Sequence, residues 1–229
     1  MVTRLAAGVW WFDLQGVNAY LVEGAAGVTL VDTGMPWQRS RLVRSVRTAV
    51  GGLDAVDRVL VTHFDFDHVG GLDRLERTGA TVYVGTGDEP YLSGRTRPDW
   101  RNRKGAFQRA ADVFRSAPDL PVESVDDGDA IGGFRAYSTP GHTPGHTCFV
   151  HEDQSVAFLG DLVREAGGDF ERPPWFLNYD HAQAGESIVG FADRTPDYEA
   201  ACPGHGTPVT EGGSERVAAC ARGLAVPRE

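Results

Sequence analysis

Four side chains able to bind a metal fall within six residues of the segment THFDFDHVGG. They are His63, Asp65, Asp67 and His68. Imidazole and carboxylate groups are ligands that zinc and similar divalent metals accept. The apolar run DRVLVTH (57–63) predicts a buried strand, and alternate residues leaving a strand point to one side. His63, Asp65 and Asp67 can therefore converge, while His68 turns towards a second position.

Three more candidate ligands lie far along the chain, in loops of the same kind. His142 stands in STPGHTPGH, Asp161 follows the apolar run SVAFL, and His205 stands in PGHG. Functional residues concentrate on loops that rigid strands hold in place. Two metals a few ångströms apart need ligands from several loops and a bridge between them. Asp161 can supply that bridging carboxylate, so the full set predicts a metal centre.

Strands and helices alternate along the chain in two successive halves, which indicates a layered α/β fold. Short apolar runs rich in Val, Leu and aromatic residues predict the strands, and apolar residues at helical spacing predict the helices. No linker or repeat interrupts the pattern, so we expect one domain over 1–229. The strands are predicted within 7–35, 57–63, 80–85, 134–141, 147–152, 155–161 and 199–206, and the helices at 36–50, 69–79, 180–194 and 214–224.

Residues 90–118 differ from the rest of the chain in charge. Seven basic residues occur there against only Asp99 and Asp112, and from about residue 104 the pattern is helical. We expect a basic helical insertion that lies on the core. It is either a solvated helical face or a cap that attracts an anionic substrate. Lys104, within this segment, is the only lysine of the chain.

The amino-acid composition and net charge indicate which kinds of molecule the protein is expected to bind. Hydrophobic residues make up 41% of the chain, enough for a proper core, and the net charge of −10 disfavours nucleic acid and anionic membranes. The three widely spaced cysteines, Cys148, Cys202 and Cys220, predict reduced thiols rather than disulfides. With no apolar run of transmembrane length and no cleavage site, we expect a cytoplasmic protein that acts on a small molecule and can form a homodimer.

The type and order of these motifs resemble the metallo-β-lactamase superfamily over nearly the whole chain. LVDTG at 30–34 also resembles the family's early strand and turn, in which Asp32 supports the site, and His146 would support its loop. The resemblance implies an α/β fold of four layers, αββα, with two mixed β-sheets flanked by helices. The family motif His-x-His-x-Asp-His and its three distant ligands correspond here to His63, Asp65, Asp67, His68, His142, Asp161 and His205.

Asp65 stands where the family usually has its second histidine. If Asp65 is a ligand, it forms the first metal site with His63 and His142, a set that also suits Fe(II) and Mn(II). The alternative is that Asp65 does not bind and the first site is weak or empty. We expect two divalent ions, chiefly Zn²⁺, with Mn²⁺ or Fe²⁺ suited by Asp65. The second site would consist of Asp67, His68, Asp161 and His205.

The resemblance implies a hydrolase in which a metal-bound hydroxide is the nucleophile and Asp67 orients it. Expected substrates are small esters, thioesters or lactones, as for glyoxalase II-like thioesterases and acyl-homoserine lactonases, and an anionic substrate would suit the basic segment. Arg164 and Tyr179 are the expected substrate contacts. Two alternatives stay open: a mononuclear iron oxidoreductase similar to the superfamily's sulfur dioxygenases, and a non-catalytic metal-binding relative.

Overall fold

The computed structural model describes residues 1–111 and 118–225, and their longest strands form two mixed sheets. The first sheet carries its strands in chain order, antiparallel over the first four and parallel over the last four. Its strands are β1 (Val2–Ala6), β2 (Val9–Asp13), β3 (Asn18–Gly24), β4 (Gly27–Val31), β5 (Val56–Val61), β6 (Thr81–Gly85) and β7 (Val122–Val125).

The second sheet is built from the C-terminal half of the chain. It contains β8 (Ala130–Ile131), β9 (Phe134–Ser138), β10 (Thr147–His151), β11 (Val156–Gly160) and β14 (Ala200–Pro203), in the order β14-β11-β10-β9-β8. Only the β11–β14 pair of this sheet is parallel. Two further strands lie between β11 and β14 in the chain, β12 (Arg164–Ala166) and β13 (Asp169–Glu171), and they form a separate hairpin.

Six α-helices are present in the described residues. None of them is both long and apolar enough to cross a membrane. They are α1 (Arg39–Val50), α2 (Phe66–Val69), α3 (Glu89–Leu92), α4 (Arg103–Ala111), α5 (His181–Arg194) and α6 (Gly213–Ala225).

The two sheets pack face to face because successive side chains of a strand point to opposite faces. In β3, Leu21 packs into the cluster beneath α1, whereas Tyr20 faces the second sheet. In β11, Phe158 faces the first sheet and Leu159 packs with α5 and α6. The rings of Tyr20 and Phe158 meet between the sheets with their centroids 5.3 Å apart. The order is therefore helix, sheet, sheet, helix, the four-layer αββα sandwich that the family resemblance implies.

The carboxyl ends of five strands meet at one edge of this sandwich. Strands β4 and β5 run parallel, as do β11 and β14, and β9 runs in the direction of β11 because both pair antiparallel with β10. Carboxyl ends of parallel strands open into the crevice where α/β proteins place their ligands. The residues that follow these strands are Asp32, His63, His142, Asp161 and His205.

Two sequence predictions differ from the structure. The helix predicted over 69–79 is only a 3₁₀ turn at Leu72–Leu75. The amide of Gly70 donates to the Gly34 carbonyl and that of Gly71 to the Thr33 hydroxyl, so tertiary contacts replace the helical bonds there. The predictions also omitted β1, β7, β8, β12 and β13. In the basic segment 90–118, the helix α4 begins at Arg103, while residues 112–117, with Arg115, lie outside the described residues.

Candidate metal centre

The structure brings six of the seven predicted ligands together in two adjoining clusters. One cluster contains His63, His142 and Asp161, and the other contains Asp67, His68 and His205. Asp161 lies between the two. Its Oδ2 is 3.4 Å from Nε2 of both His142 and His205, and its Oδ1 is 3.6 Å from Nε2 of His68. This geometry suits the bridging position expected for Asp161.

All four histidines of the two clusters present Nε2 to the centre, because each Nδ1 faces an oxygen acceptor. Such a contact fixes the tautomer of a ligating imidazole and leaves the Nε2 lone pair for the metal. The Nδ1 contacts are His63 to Thr62 Oγ1 at 3.0 Å, His68 to Asp32 Oδ2 at 2.8 Å, His142 to Asn178 Oδ1 at 3.0 Å and His205 to the Gly16 carbonyl at 2.6 Å.

Asp32 supports the centre from behind, as the resemblance implies. It is buried and has the left-handed backbone conformation, with φ of +57°. Its carboxylate accepts bonds from the Thr62 amide at 2.9 Å and from the Thr62 hydroxyl at 2.7 Å, besides the contact with His68. Because the Thr62 hydroxyl donates to Asp32, it is free to accept from Nδ1 of His63. One carboxylate thus orients a histidine of each cluster.

The second cluster fits a divalent ion. Ligands about 2.05 Å from a tetrahedral ion lie about 3.4 Å from one another. Nε2 of His205 is 3.4 Å from Oδ2 of Asp67 and from Asp161, while His68 lies 3.6 Å from Asp161 and 4.0 Å from Asp67. Nε2 of His68 and Oδ1 of Asp161 are buried without a hydrogen-bond partner among the described residues, and so is Nε2 of His63 in the first cluster. Buried polar atoms need a partner, and an ion supplies it.

The first cluster contains a cation from the protein itself. Nζ of Lys104 lies 2.8 Å from Oδ2 of Asp65 and 2.5 Å from Nε2 of His142. Oδ2 of Asp65 is also 3.3 Å from Nε2 of His63 and 3.2 Å from Nε2 of His142. Asp65 therefore faces both predicted histidines of the first site, as its interpretation as a ligand requires, but it is paired with an ammonium.

The pKa values of the carboxyl groups reflect this crowding of charge. Burial by itself would raise the pKa of Asp65, but Lys104, His142 and His63 outweigh it and hold the pKa well below the usual value. Burial would likewise raise the pKa of Asp161, and the charge of His205, with smaller contributions from the other histidines, holds it well below the usual value. Both groups are therefore anionic at neutral pH.

The pKa values of the histidines are shifted from the ordinary value in opposite directions. Asp161 is the main cause that raises the pKa of His205 to about 12. Burial lowers the pKa of His68, but Asp32, Asp67 and Asp161 outweigh it and raise the value to about 9. Burial and His68 lower the pKa of His63 to about 4. The carboxylates of the second cluster thus favour the cationic forms of His68 and His205, and a metal ion that binds there would displace those protons.

Asp88, a residue that the sequence analysis did not select, holds two of the loops together. Asp88, fully buried, accepts bonds from the Phe64 amide at 2.8 Å, the Thr143 hydroxyl at 2.6 Å and the Gly145 amide at 2.8 Å. It joins the loop of His63 to that of His142. Its only signal in the sequence is its place after a predicted strand. His146 was expected to support its loop, and its Nε2 faces the Asp161 amide at 3.1 Å.

Of the two residues expected to contact substrate, Arg164 lines the cavity over the centre and Tyr179 does not. Arg164 lines the cavity over the centre and also contacts Glu171 at 3.1 Å. Tyr179 is not among the described residues that line this cavity, and its hydroxyl donates to Oε1 of Gln108 at 2.8 Å. Gln108 in turn donates to Oδ1 of Asp65 at 2.5 Å. The geometry gives Tyr179 a supporting contact to α4, and its contact with substrate stays a prediction.

A cavity of about 670 Å³ opens above the centre. Asp65, Asp67, His142, Asp161 and His205 contribute to its floor. Its other residues are of two kinds, apolar and basic. The apolar ones are Phe66, Phe107, Pro173, Phe176 and Leu177, and the basic ones are Arg103, Lys104 and Arg164.

The comparisons with known proteins agree with this geometry. A family model described as the metallo-beta-lactamase superfamily matches residues 13–205. The chain belongs to the metallo-beta-lactamase superfamily. The match confirms the resemblance seen in the motifs, and it places the chain in a superfamily of metallo-hydrolases that bind divalent metals.

Individual relatives of the chain include two curated proteins. The chain is 29% identical to the probable metallo-hydrolase YflN of Bacillus subtilis, over 90% of this chain and 86% of that protein. It is 31% identical to an atrochrysone carboxyl ACP thioesterase, nsrC, of Aspergillus novofumigatus, over 68% of this chain but only 41% of that protein.

A solved structure extends the comparison. TTHA1623, in a di-iron-bound form, superposes with a TM-score of 0.64 and 29% identity over 89% of this chain and 94% of that one.

Proposed function

We propose that the chain is a metal-dependent hydrolase of a small ester, thioester or lactone. The main supporting observation is that four histidine Nε2 atoms and three carboxylates meet beneath a cavity of about 670 Å³. A bound ion lowers the pKa of a water from 15.7 to about 7 and thereby makes a hydroxide nucleophile available at neutral pH. The names of YflN and of the ACP thioesterase support hydrolysis and a thioester substrate.

The protein's own residues divide the remaining work. His68, His205, Asp67 and Asp161 would hold the ion in the second cluster. Oδ2 of Asp67 lies 3.4 Å from Nε2 of His205, and Asp67 lines the cavity. Its carboxylate can therefore accept a hydrogen bond from the attacking nucleophile and orient it. Zn²⁺ suits this set of imidazoles and carboxylates, and the harder Mn²⁺ and Fe²⁺ suit it as well.

The walls of the cavity indicate the shape of the substrate. Phe107, Phe176 and Leu177 are 60%, 50% and 44% exposed, so their apolar surface is available to a ligand. Burial of each methylene group contributes about 0.8 kcal/mol. Arg103 and Arg164 add positive charge at the same cavity. We therefore infer an acyl compound with an apolar part and an anionic group, as an acyl carrier thioester has.

The experiment is a panel of esters, thioesters and lactones that differ in acyl length. The protein is assayed with Zn²⁺, Mn²⁺ or Fe²⁺ and after chelation, beside the Asp161→Asn variant. We expect hydrolysis that requires the ion, falls at least 100-fold in the variant, and increases with acyl length. Phe176→Ala should remove most of the length preference. Trp100→Ala, an exposed aromatic outside the cavity, is its control and should keep it.

The alternatives have their own outcomes in this panel. Oxygen uptake on a persulfide with iron, and no hydrolysis, would indicate the sulfur dioxygenase alternative. No turnover with any metal, in protein that binds an ion, would indicate a non-catalytic relative.

A further inference from the structure

The side chain of Lys104 is buried in the first cluster. Only 5% of it is exposed, and its Nζ contacts Asp65 at 2.8 Å and His142 at 2.5 Å. Buried charges are found in proteins when they are paired. The partners of this ammonium are two of the three residues predicted to hold the first metal ion.

The helix α4 holds Lys104 in this position by contacts on both sides. Gln108, one helical turn further on, donates to Oδ1 of Asp65 at 2.5 Å, so both oxygens of this carboxylate accept from α4. Asn102, just before the helix, accepts from the Lys104 amide at 3.0 Å and donates to the carbonyl of Tyr179 at 3.0 Å. The ammonium is therefore placed by a docked helix, not by a free side chain.

An ion in the first cluster would compete with the ammonium for the same atom. Nδ1 of His142 contacts Asn178, so Nε2 carries the only lone pair of the ring. That lone pair can accept an N–H of Lys104 or bind a metal, but not both. An ion there would also lie within a few ångströms of the ammonium and be repelled by it. Binding a first ion thus requires Lys104 to leave.

The formal charges balance without a first ion. Asp65, Asp67 and Asp161 face the two clusters with three negative charges, since His63 and His142 are neutral when they present a lone pair. One ammonium and one divalent ion that carries a neutral water neutralise these three charges. The family usually has a histidine at the position of Asp65. The carboxylate that replaces it here supplies the negative charge with which the Lys104 ammonium pairs.

The residue type agrees with this role. Among the 22 lysines and arginines of the chain, Lys104 is the only lysine. A guanidinium is a planar fork with five donors, whereas an ammonium is a compact point charge on a flexible stem. Only the ammonium approaches the size of a metal ion between an imidazole and a carboxylate.

We propose that the ammonium of Lys104 takes the place of the first metal ion, so that the chain binds one divalent ion, in the second cluster. The inference rests on the metal-dependent function proposed above, and it differs from the two ions expected from the sequence. An ammonium has three donors. Because Lys104 also lines the cavity, it can donate to a substrate oxygen while it contacts Asp65 and His142.

The first test is the stoichiometry of Zn²⁺, measured by titration of metal-free protein against a chromophoric chelator and by elemental analysis. We expect one ion per chain in the wild type and two in Lys104→Met, because removal of the ammonium frees His63, Asp65 and His142. Arg103→Met, the adjacent cation at the cavity, is the matched control and should bind one ion. Two ions in the wild type, or one in Lys104→Met, would overturn the proposal.

A second test uses the wild-type protein alone and does not depend on the folding of a variant. Because the chain has one lysine, lysine labelled with nitrogen-15 and carbon-13 gives a single Nζ–Cε correlation in NMR. With Zn²⁺ bound, we expect this resonance to stay protected from solvent exchange, and with Co²⁺ to be strongly shifted by the nearby paramagnetic ion. A resonance that acquires the rapid exchange of an exposed lysine when the ion binds would mean that the metal expels Lys104.

These measurements separate the two proposals. One ion in the wild type and two in Lys104→Met, without hydrolysis of any ester, thioester or lactone, would leave the inference standing and remove the proposed function. Metal-dependent hydrolysis by protein that binds two ions would do the reverse.

Discussion

The carboxylate of Asp32 lies 2.8 Å from Nδ1 of His68 and also accepts the Thr62 hydroxyl at 2.7 Å. This one carboxylate fixes the tautomer of His68 directly and that of His63 through Thr62. The residue adopts a left-handed backbone conformation that side chains other than glycine seldom take. Such strain persists at sites where the surrounding contacts maintain it.

Asp32→Asn should therefore weaken metal binding without removing a ligand. An amide retains the shape but loses the charge and one acceptor, so His68 is less firmly held. Loss of a partner behind a ligand lowers metal affinity on the order of 10- to 100-fold. The measurement is a competition titration with a chromophoric chelator. Asp54→Asn, on the surface, is the control. Equal affinities of Asp32→Asn and wild type would show that Asp32 does not orient His68.

Removal of the ion should lower thermal stability. A ligand that binds only the folded state at 100 times its Kd contributes about 2.7 kcal/mol. In a domain of this size that corresponds to a Tm change of roughly 5–10 °C. We expect chelation to lower the Tm by this amount in the wild type, as measured by calorimetry. His205→Ala should show little response, and a full response in that variant would place the ion elsewhere.

Asp88→Asn should destabilise the fold. Asp88 accepts from two amides and a hydroxyl in the interior, and an amide side chain offers only one oxygen to these donors. An unsatisfied buried donor costs about 1–3 kcal/mol. Urea unfolding of the metal-free protein measures the loss. The exposed Asp193→Asn on α5 provides the comparison and should unfold as the wild type does.

The cysteines should differ in reactivity. Burial raises the pKa of Cys148 from 9.0 to about 12 and that of Cys202 well above 9.0, and Cys220 is only partly buried. At pH 8 we expect iodoacetamide to modify Cys220 first, as read by mass spectrometry, and all three in urea. Because the folded-state pKa is raised, Cys148 stabilises the fold below pH about 9 and loses this contribution as the pH rises towards 12.

Cys220→Ala is the control for this labelling. In its folded state, the Cys220→Ala variant should lack the fast-reacting thiol and keep the two slowly reacting ones. Equal rates for all three thiols in the wild type would contradict the buried positions of Cys148 and Cys202.

The sequence alone allowed much of the fold and the choice of candidate ligands to be predicted. The strands that end before His63, Asp161 and His205 are short apolar runs, and such local patterns can be read without a structure. The helix predicted over 69–79 failed because Gly70 and Gly71 bond to residues far away in the chain. Backbone contacts of that kind leave no periodic signal in the sequence.

The residue types of the candidate ligands, their order and the strand ends that carry them can be predicted from the sequence, because these are local properties of the chain. The contact of Lys104 with the first cluster depends on tertiary packing. Lys104 is 38 residues from His142, and its ammonium reaches Nε2 because α4 docks over the strand ends. Helical periodicity shows which face of α4 is apolar, but not which polar group that face brings into a metal centre.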